Sequence, residues 1–208
     1  MKRATNLTKL KIFARQNKIL VILASILLLG IFFGAIIGDI IKNQTVEDIT
    51  SLFLNNYKNR ENQPIFYAFI SSLSSIFLFI LATFLIGLSA WGFTLAPFMP
   101  FFRGLSIGLI QNYLYSQYGM KGILFQILVL LPGIFISSIA ILLMAKEAMI
   151  ISYSFSNRLI FKERSRFDRE VDIKTYIIKV GYVLSIALLS VIVDSFLNFL
   201  LLRFFHFA

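Results

Sequence analysis

Cysteine is absent, and histidine occurs once, at His206. The first absence excludes disulfides, thiolate nucleophiles and thiolate metal sites. The second leaves no imidazole pair from which a His-based metal site could be built. Charge is scarce as well: 14% of residues are charged, where a soluble domain carries about a quarter. No HExxH or P-loop pattern occurs, and each of those marks a different hydrolytic or nucleotide chemistry. No external loop is long enough to hold a soluble catalytic domain. The expectation is a protein that is not an enzyme and uses no cofactor. What the chain has instead is apolar surface: 58% of its residues are hydrophobic, with a mean hydropathy of +0.83.

The few charges are not spread evenly. Lys2, Arg3, Lys9, Lys11, Arg15 and Lys18 crowd the N-terminus without an acid among them. Seven more basic residues lie between Lys146 and Lys174. Long apolar runs separate these clusters, and about 20 such residues cross ~30 Å of hydrocarbon as a helix. Basic residues flanking membrane spans stay cytoplasmic. The net charge of +10 therefore reads as span flanks rather than as a nucleic-acid surface. A basic stretch followed by an apolar one also suggests a signal peptide. The apolar run is too long for one, however, and no A-x-A-like site follows it, so an uncleaved first helix is expected.

The resulting layout is an all-α polytopic transmembrane bundle. A basic cytoplasmic arm occupies 1–18, and one transmembrane domain occupies 19–208. Spans are expected at about 19–38, 65–88, 93–118, 123–145 and 176–202. Between the first two lies a polar segment, 42–63, with three basic and three acidic residues. Its Val46, Ile49, Leu52 and Phe53 recur at helical spacing, and Thr45 with Asp48 imitates a capping box. It reads as an amphipathic helix on the outer surface, or as a loop helix packed on the domain. Residues 62–102 carry no charge. Gly87, Gly92, Pro97 and Pro100 interrupt them, which predicts a tight turn and an irregular, broken third span. Tyr118 to Gly122 predicts a second turn, and Pro132-Gly133 a kink. The fourth helix continues amphipathically past Ile151, inside the charged cytoplasmic loop 146–174. The two basic clusters must share a side, so an even number of spans separates them. Four spans do so, giving five in all, with the N-terminus cytoplasmic and the C-terminus outside.

Several constellations stand out within the spans. Gly30, Gly34 and Gly38 form a GxxxGxxxG stripe, repeated by Gly104 and Gly108 and by Gly181 with Ser185. Such stripes let two helix backbones approach closely in lipid. They serve oligomerisation and partner docking, or packing among the chain's own spans. Arg103 and Asp194 are ionisable groups inside spans, where charge is expensive and usually faces the bundle interior. Pairing of Asp194 with Arg103 or with Lys179 is one expectation; snorkelling of Arg103 to the inner interface is another. Gln111, Asn112, Gln126 and Asn198 either line a hydrophilic cleft or bond between helices. Lys146-Glu147 reads as an interfacial charge pair.

Finally, an ordered set of short motifs runs through the chain. It comprises Phe33-Gly34-Ala35, Arg103-Gly104 followed by Gly108, Tyr118-Gly119-Met120-Lys121-Gly122, Leu130-Leu131-Pro132 and Ile151-Ser152. In order and spacing it resembles the stage II sporulation protein M family of bacterial membrane proteins. The resemblance implies a five-span protein without known catalysis, in the cytoplasmic (inner) membrane of a bacterium. In endospore formers the sporulation member anchors and recruits a peptidoglycan-degrading complex at the septal membrane during engulfment. Other members accompany transporter genes or circular-bacteriocin operons, where they are thought to assist secretion or immunity. The partners implied are membrane lipids and other membrane proteins, either a cell-wall hydrolase complex or ABC-type transporter subunits, with self-association as a further option and no nucleic acid. The chain departs from the sporulation member where Gly133-Ile134 follow Pro132 in place of Gln-Asn, and in its short 42–63 segment.

Overall fold

In hydrocarbon no water satisfies backbone amides, so a run of apolar residues must bond within itself as a helix. A computed structural model describes residues 17–40, 65–160 and 173–201, and every regular element among them is helical. In chain order these are α1 (Lys18–Ile40), α2 (Ile65–Gly87), a single-turn α3 (Gly92–Leu95), α4 (Phe98–Phe125), a π-helical turn (Gln126–Leu130), α5 (Leu131–Ile160) and α6 (Ile173–Leu201). Residues 1–16 of the basic arm, the polar segment at 42–63 and residues 161–172 of the charged loop lie outside the described residues.

Among the described residues, four stretches are long and apolar enough to cross a membrane: Lys18–Ile40, Phe69–Gly87, Gly92–Asn157 and Ile173–Leu200. The third has 66 residues and would reach about 100 Å if straight. It does not run straight. Gly119 adopts φ 54° and ψ −130°, a conformation open to glycine and strained for any residue with a Cβ. The chain doubles back there, so that Gly122 abuts the Leu114 carbonyl and Arg103 reaches Ser137. The expected turn at Tyr118–Gly122 is thus a hairpin between the arms 98–118 and 120–160.

The expected break in the 93–118 span is present, at Ala96-Pro97 between α3 and α4. Pro97 precedes α4 and Pro100 sits in its first turn, where a missing N–H costs nothing. From Phe98 the helix is continuous as far as Tyr118. Pro132 has no N–H to give, and its ring crowds the carbonyl one turn earlier. The helix widens into a π turn immediately before it, and that is the form the expected kink takes.

The helices alternate in direction. Gly30, Gly34 and Gly38 of α1 meet Phe101, Leu105 and Asn112 of α4 in the same order, so α1 and α4 run parallel. Glu147 meets Lys179, and Gly133 meets Asp194, so α5 and α6 run antiparallel. The N-terminal end of α1 and the C-terminal end of α6 therefore lie at opposite ends of the bundle. The main core joins α2, α5 and α6 through Ile76, Ile80, Met144, Ile151, Val183 and Val191. A second, smaller core of Leu114, Phe125, Val129 and Leu130 closes the hairpin.

Candidate functional site

The glycine stripe builds the wall on which the site stands. A Cβ at Gly30 would strike the Phe101 carbonyl, and one at Gly34 the Leu105 carbonyl. From the other side, Gly104 faces the Leu27 carbonyl and Gly108 the Ile31 carbonyl. The Cα of Gly108 would lie 3.1 Å from a Cβ at Gly34. Gly38 packs on the Asn112 side chain, whose Nδ2 donates to the Ala35 carbonyl at 3.1 Å. These five glycines mate α1 with α4 inside one chain. Gly181 is different: nothing lies within 4 Å of its Cβ position, and Ser185 donates only to the Gly181 carbonyl. The expected packing role of that third stripe is corrected, because it faces out of the bundle.

Behind that wall, α2, α4, α5 and α6 line a cavity of about 150 Å³, its walls mostly apolar but set with polar side chains. Arg103 and Asp194 both line it. Asp194 is buried and accepts a hydrogen bond from Ser72 Oγ at 2.7 Å. The Arg103 guanidinium donates to Ser137 Oγ at 3.0 Å and stands 5.7 Å from the centre of the Phe79 ring. It turns into the bundle, so snorkelling to the interface is corrected. Cation–π contact contributes about 0.5–2 kcal/mol, more as water is excluded. Ser190 donates to the Gly133 carbonyl at 2.7 Å and Ser137 to that of Ile134 at 2.9 Å, covering carbonyls beside Pro132. Gly133 also lets α6 come close, since a Cβ there would sit 2.9 Å from the Asp194 Cβ.

Lys179 takes no part in this cavity. It pairs with Glu147 at 2.6 Å, and it shares α6 with Asp194 at 15 positions' distance, about 22 Å along the axis. The expected Lys179–Asp194 pairing is corrected on that ground, and Glu147 bonds across to α6 rather than to its neighbour Lys146. Gln111 is exposed, Gln126 is half-buried, and neither lines the cavity. Asn198 bonds to the Asp194 carbonyl of its own helix at 2.7 Å. The polar residues that do line it are serines: Ser71, Ser72 and Ser75 of α2, Ser106 of α4, Ser137 and Ser190. The run Ser71-Ser72-Leu73-Ser74-Ser75, dense in hydroxyls within an apolar helix, was the available signal for them. Another serine, Ser152, fixes the far end of the bundle. Ser152 Oγ accepts from the Phe93 N–H at 2.7 Å and donates to the Ser89 carbonyl at 2.6 Å, clamping the turn before α3 onto α5.

An arginine and an aspartate held in the interior of an apolar helical bundle can bind or orient polar groups. Among the described residues no group of three or more Asp, Glu, His or Cys gathers to hold a metal ion. The family model described as stage II sporulation protein M matches residues 19–197. The chain belongs to that family. The match spans α1 through most of α6, and so includes both the glycine-mated wall and the Arg103–Asp194 cavity. With its apolar helices, family membership makes this a membrane protein. No curated protein and no solved structure matches the chain.

Proposed function

We propose that this stage II sporulation protein M family member is a non-enzymatic scaffold of the bacterial cytoplasmic membrane that anchors or recruits partner proteins. In a sporulating host the place of action is the septal membrane during engulfment. The observation that carries this reading is the family match over residues 19–197. The alternating helix directions support five passes, with Lys18 at the cytoplasmic end of α1 and α6 ending outside. In that frame both basic clusters face the cytoplasm, as charge asymmetry favours. Because the α1 and α4 stripes are spent on each other, partners are received on other faces of the bundle. Gentle affinity purification from native membranes, followed by mass spectrometry, tests the proposal. Co-purifying wall hydrolases or septal proteins support it; a protein recovered alone defeats it.

One observation favours a second reading, an accessory role in transport, bacteriocin secretion or immunity. The cavity holds two ionisable side chains, Arg103 and Asp194, among apolar helices, where such groups commonly serve a pathway. On this reading Arg103→Ala and Asp194→Asn cripple export or resistance at unchanged protein abundance. A purely structural pair instead lowers the abundance of both variants.

A further inference from the structure

The cavity is not closed on all sides. α2 packs on α5 and α6 but stands off from α4, and Arg103 of α4 reaches over Phe79 of α2 across that gap. Ser71 and Ser75 on the α2 side are exposed, and Ser106 on the α4 side is half-exposed. The gap is therefore a lateral cleft with hydroxyls at its mouth and Arg103 and Asp194 at its floor.

We infer that this cleft receives a transmembrane helix of a partner membrane protein, bearing an uncharged hydrogen-bonding side chain (Ser, Thr, Asn or Gln) near its middle. The inference rests on the scaffold reading and says where on the chain the partner sits. Depth argues for a helix rather than a lipid headgroup. Ile76, which lines the cavity, is the central residue of α2 (Ile65–Gly87), about 16 Å from either end. Headgroups lie outside a hydrocarbon core of ~30 Å, whereas a spanning helix carries side chains at every depth. Charge argues for a neutral group: Arg103 and Asp194 sum to zero, and an ionised occupant would leave net charge at mid-membrane. Chemistry points the same way. Hydrocarbon offers nothing to the Ser71 and Ser75 hydroxyls at the mouth, and Ser106, which donates to the Phe102 carbonyl at 3.0 Å, keeps its oxygen as an acceptor; hydroxyl and amide side chains on a facing helix bond to all three, and serine is small enough for close approach. Surface is also available, since α2 is the least covered span: 17% of its most apolar stretch is buried, against 22% in α1 and 28% in α6.

The test places a diazirine-bearing amino acid at position 75 or 106 of the full chain, and at Leu81 or Ile192 as exposed controls, then irradiates native membranes. The expected result is a cross-link from 75 and 106 to one transmembrane segment of a co-purifying protein. Peptide mapping should find a Ser, Thr, Asn or Gln near the centre of that segment, and positions 81 and 192 should not yield the adduct. Ser75→Phe and Ser106→Phe, which plug the cleft, should cut recovery of that partner at least tenfold at unchanged abundance. Adducts to lipid alone, to a second copy of this chain, or equally from all four positions overturn the inference. If partners co-purify undiminished with both Phe variants, the cleft assignment fails and the scaffold reading stands. If nothing co-purifies with the unaltered protein, both fail.

Discussion

The two sides of α4 solve the same problem by opposite means. Toward α1 it presents Gly104 and Gly108, and backbone meets backbone with no room for a single added carbon. Toward α2 it presents Arg103 and Ser106 across a gap lined with hydroxyls. Lipid tails are as apolar as leucine, so apolar burial does not drive helices together in a membrane. Close van der Waals contact can, and that is what the glycine wall supplies. Polar groups can as well, but only when each finds a partner, and the serine cleft holds such groups at a mouth that the chain leaves open. One side is finished within the chain; the other is left open.

The largest effect expected from breaking this contrast is at the wall. Gly34→Leu drives a branched side chain into the Leu105 backbone, which cannot yield as a flexible side chain would. Overpacking usually costs 1–3 kcal/mol, and a clash with backbone puts this variant at about 3 kcal/mol or above. Loss of membrane-inserted protein and a lower Tm in detergent would register it. The matching change Gly181→Leu, on a stripe that faces open space, should leave both readouts unchanged. Equal damage from the two would refute the assignment of the stripes.

At the cleft, Asp194→Leu removes the acceptor of Ser72 and leaves Arg103 as net charge in the bundle. A central arginine costs about 3 kcal/mol on insertion scales, so a loss of about 2–3 kcal/mol is expected in reversible unfolding. Adding Arg103→Met should restore part of it, and a double variant as damaged as the sum of the two singles would show that the charges do not sense each other. Between the two faces stands the hairpin. Gly119→Ala forces a Cβ into a left-handed conformation at a cost of about 1–2 kcal/mol, with no steric neighbour to add to it. Smallest of all is Lys179→Met. Its ion pair with Glu147 is 44% exposed on the lysine side, and such pairs contribute about 0–1 kcal/mol, so a Tm within a degree or two of the parent is expected.

Much of the fold was legible because its signals are local. Runs of apolar residues, basic clusters and the Tyr118–Gly122 turn each declare themselves within a short window. The glycine spacings announced a close helix contact, and the family motifs announced the family. The break in the third span was legible at Pro97, but its extent was not, because a proline's effect depends on its place in the helix: in the first turn Pro100 continues α4 instead of interrupting it. The Lys179–Asp194 pairing was misread because two residues on one rigid helix keep the distance that its rise dictates. The serines were passed over because a hydroxyl in an apolar helix can always turn back to its own backbone, as Ser106 does to the Phe102 carbonyl.

The sequence by itself determined the helical class, the positions of the apolar segments, a turn within Tyr118–Gly122 and the family, since each depends on residue chemistry along a few consecutive turns. Only the tertiary structure decided which stripe mates with which, that Lys179 belongs to Glu147, and that serines from four helices share one chamber with Arg103 and Asp194. Those outcomes depend on the rotation of each helix about its axis and on its register against its neighbours. Both are set by packing between segments far apart in the chain, and no local pattern encodes them.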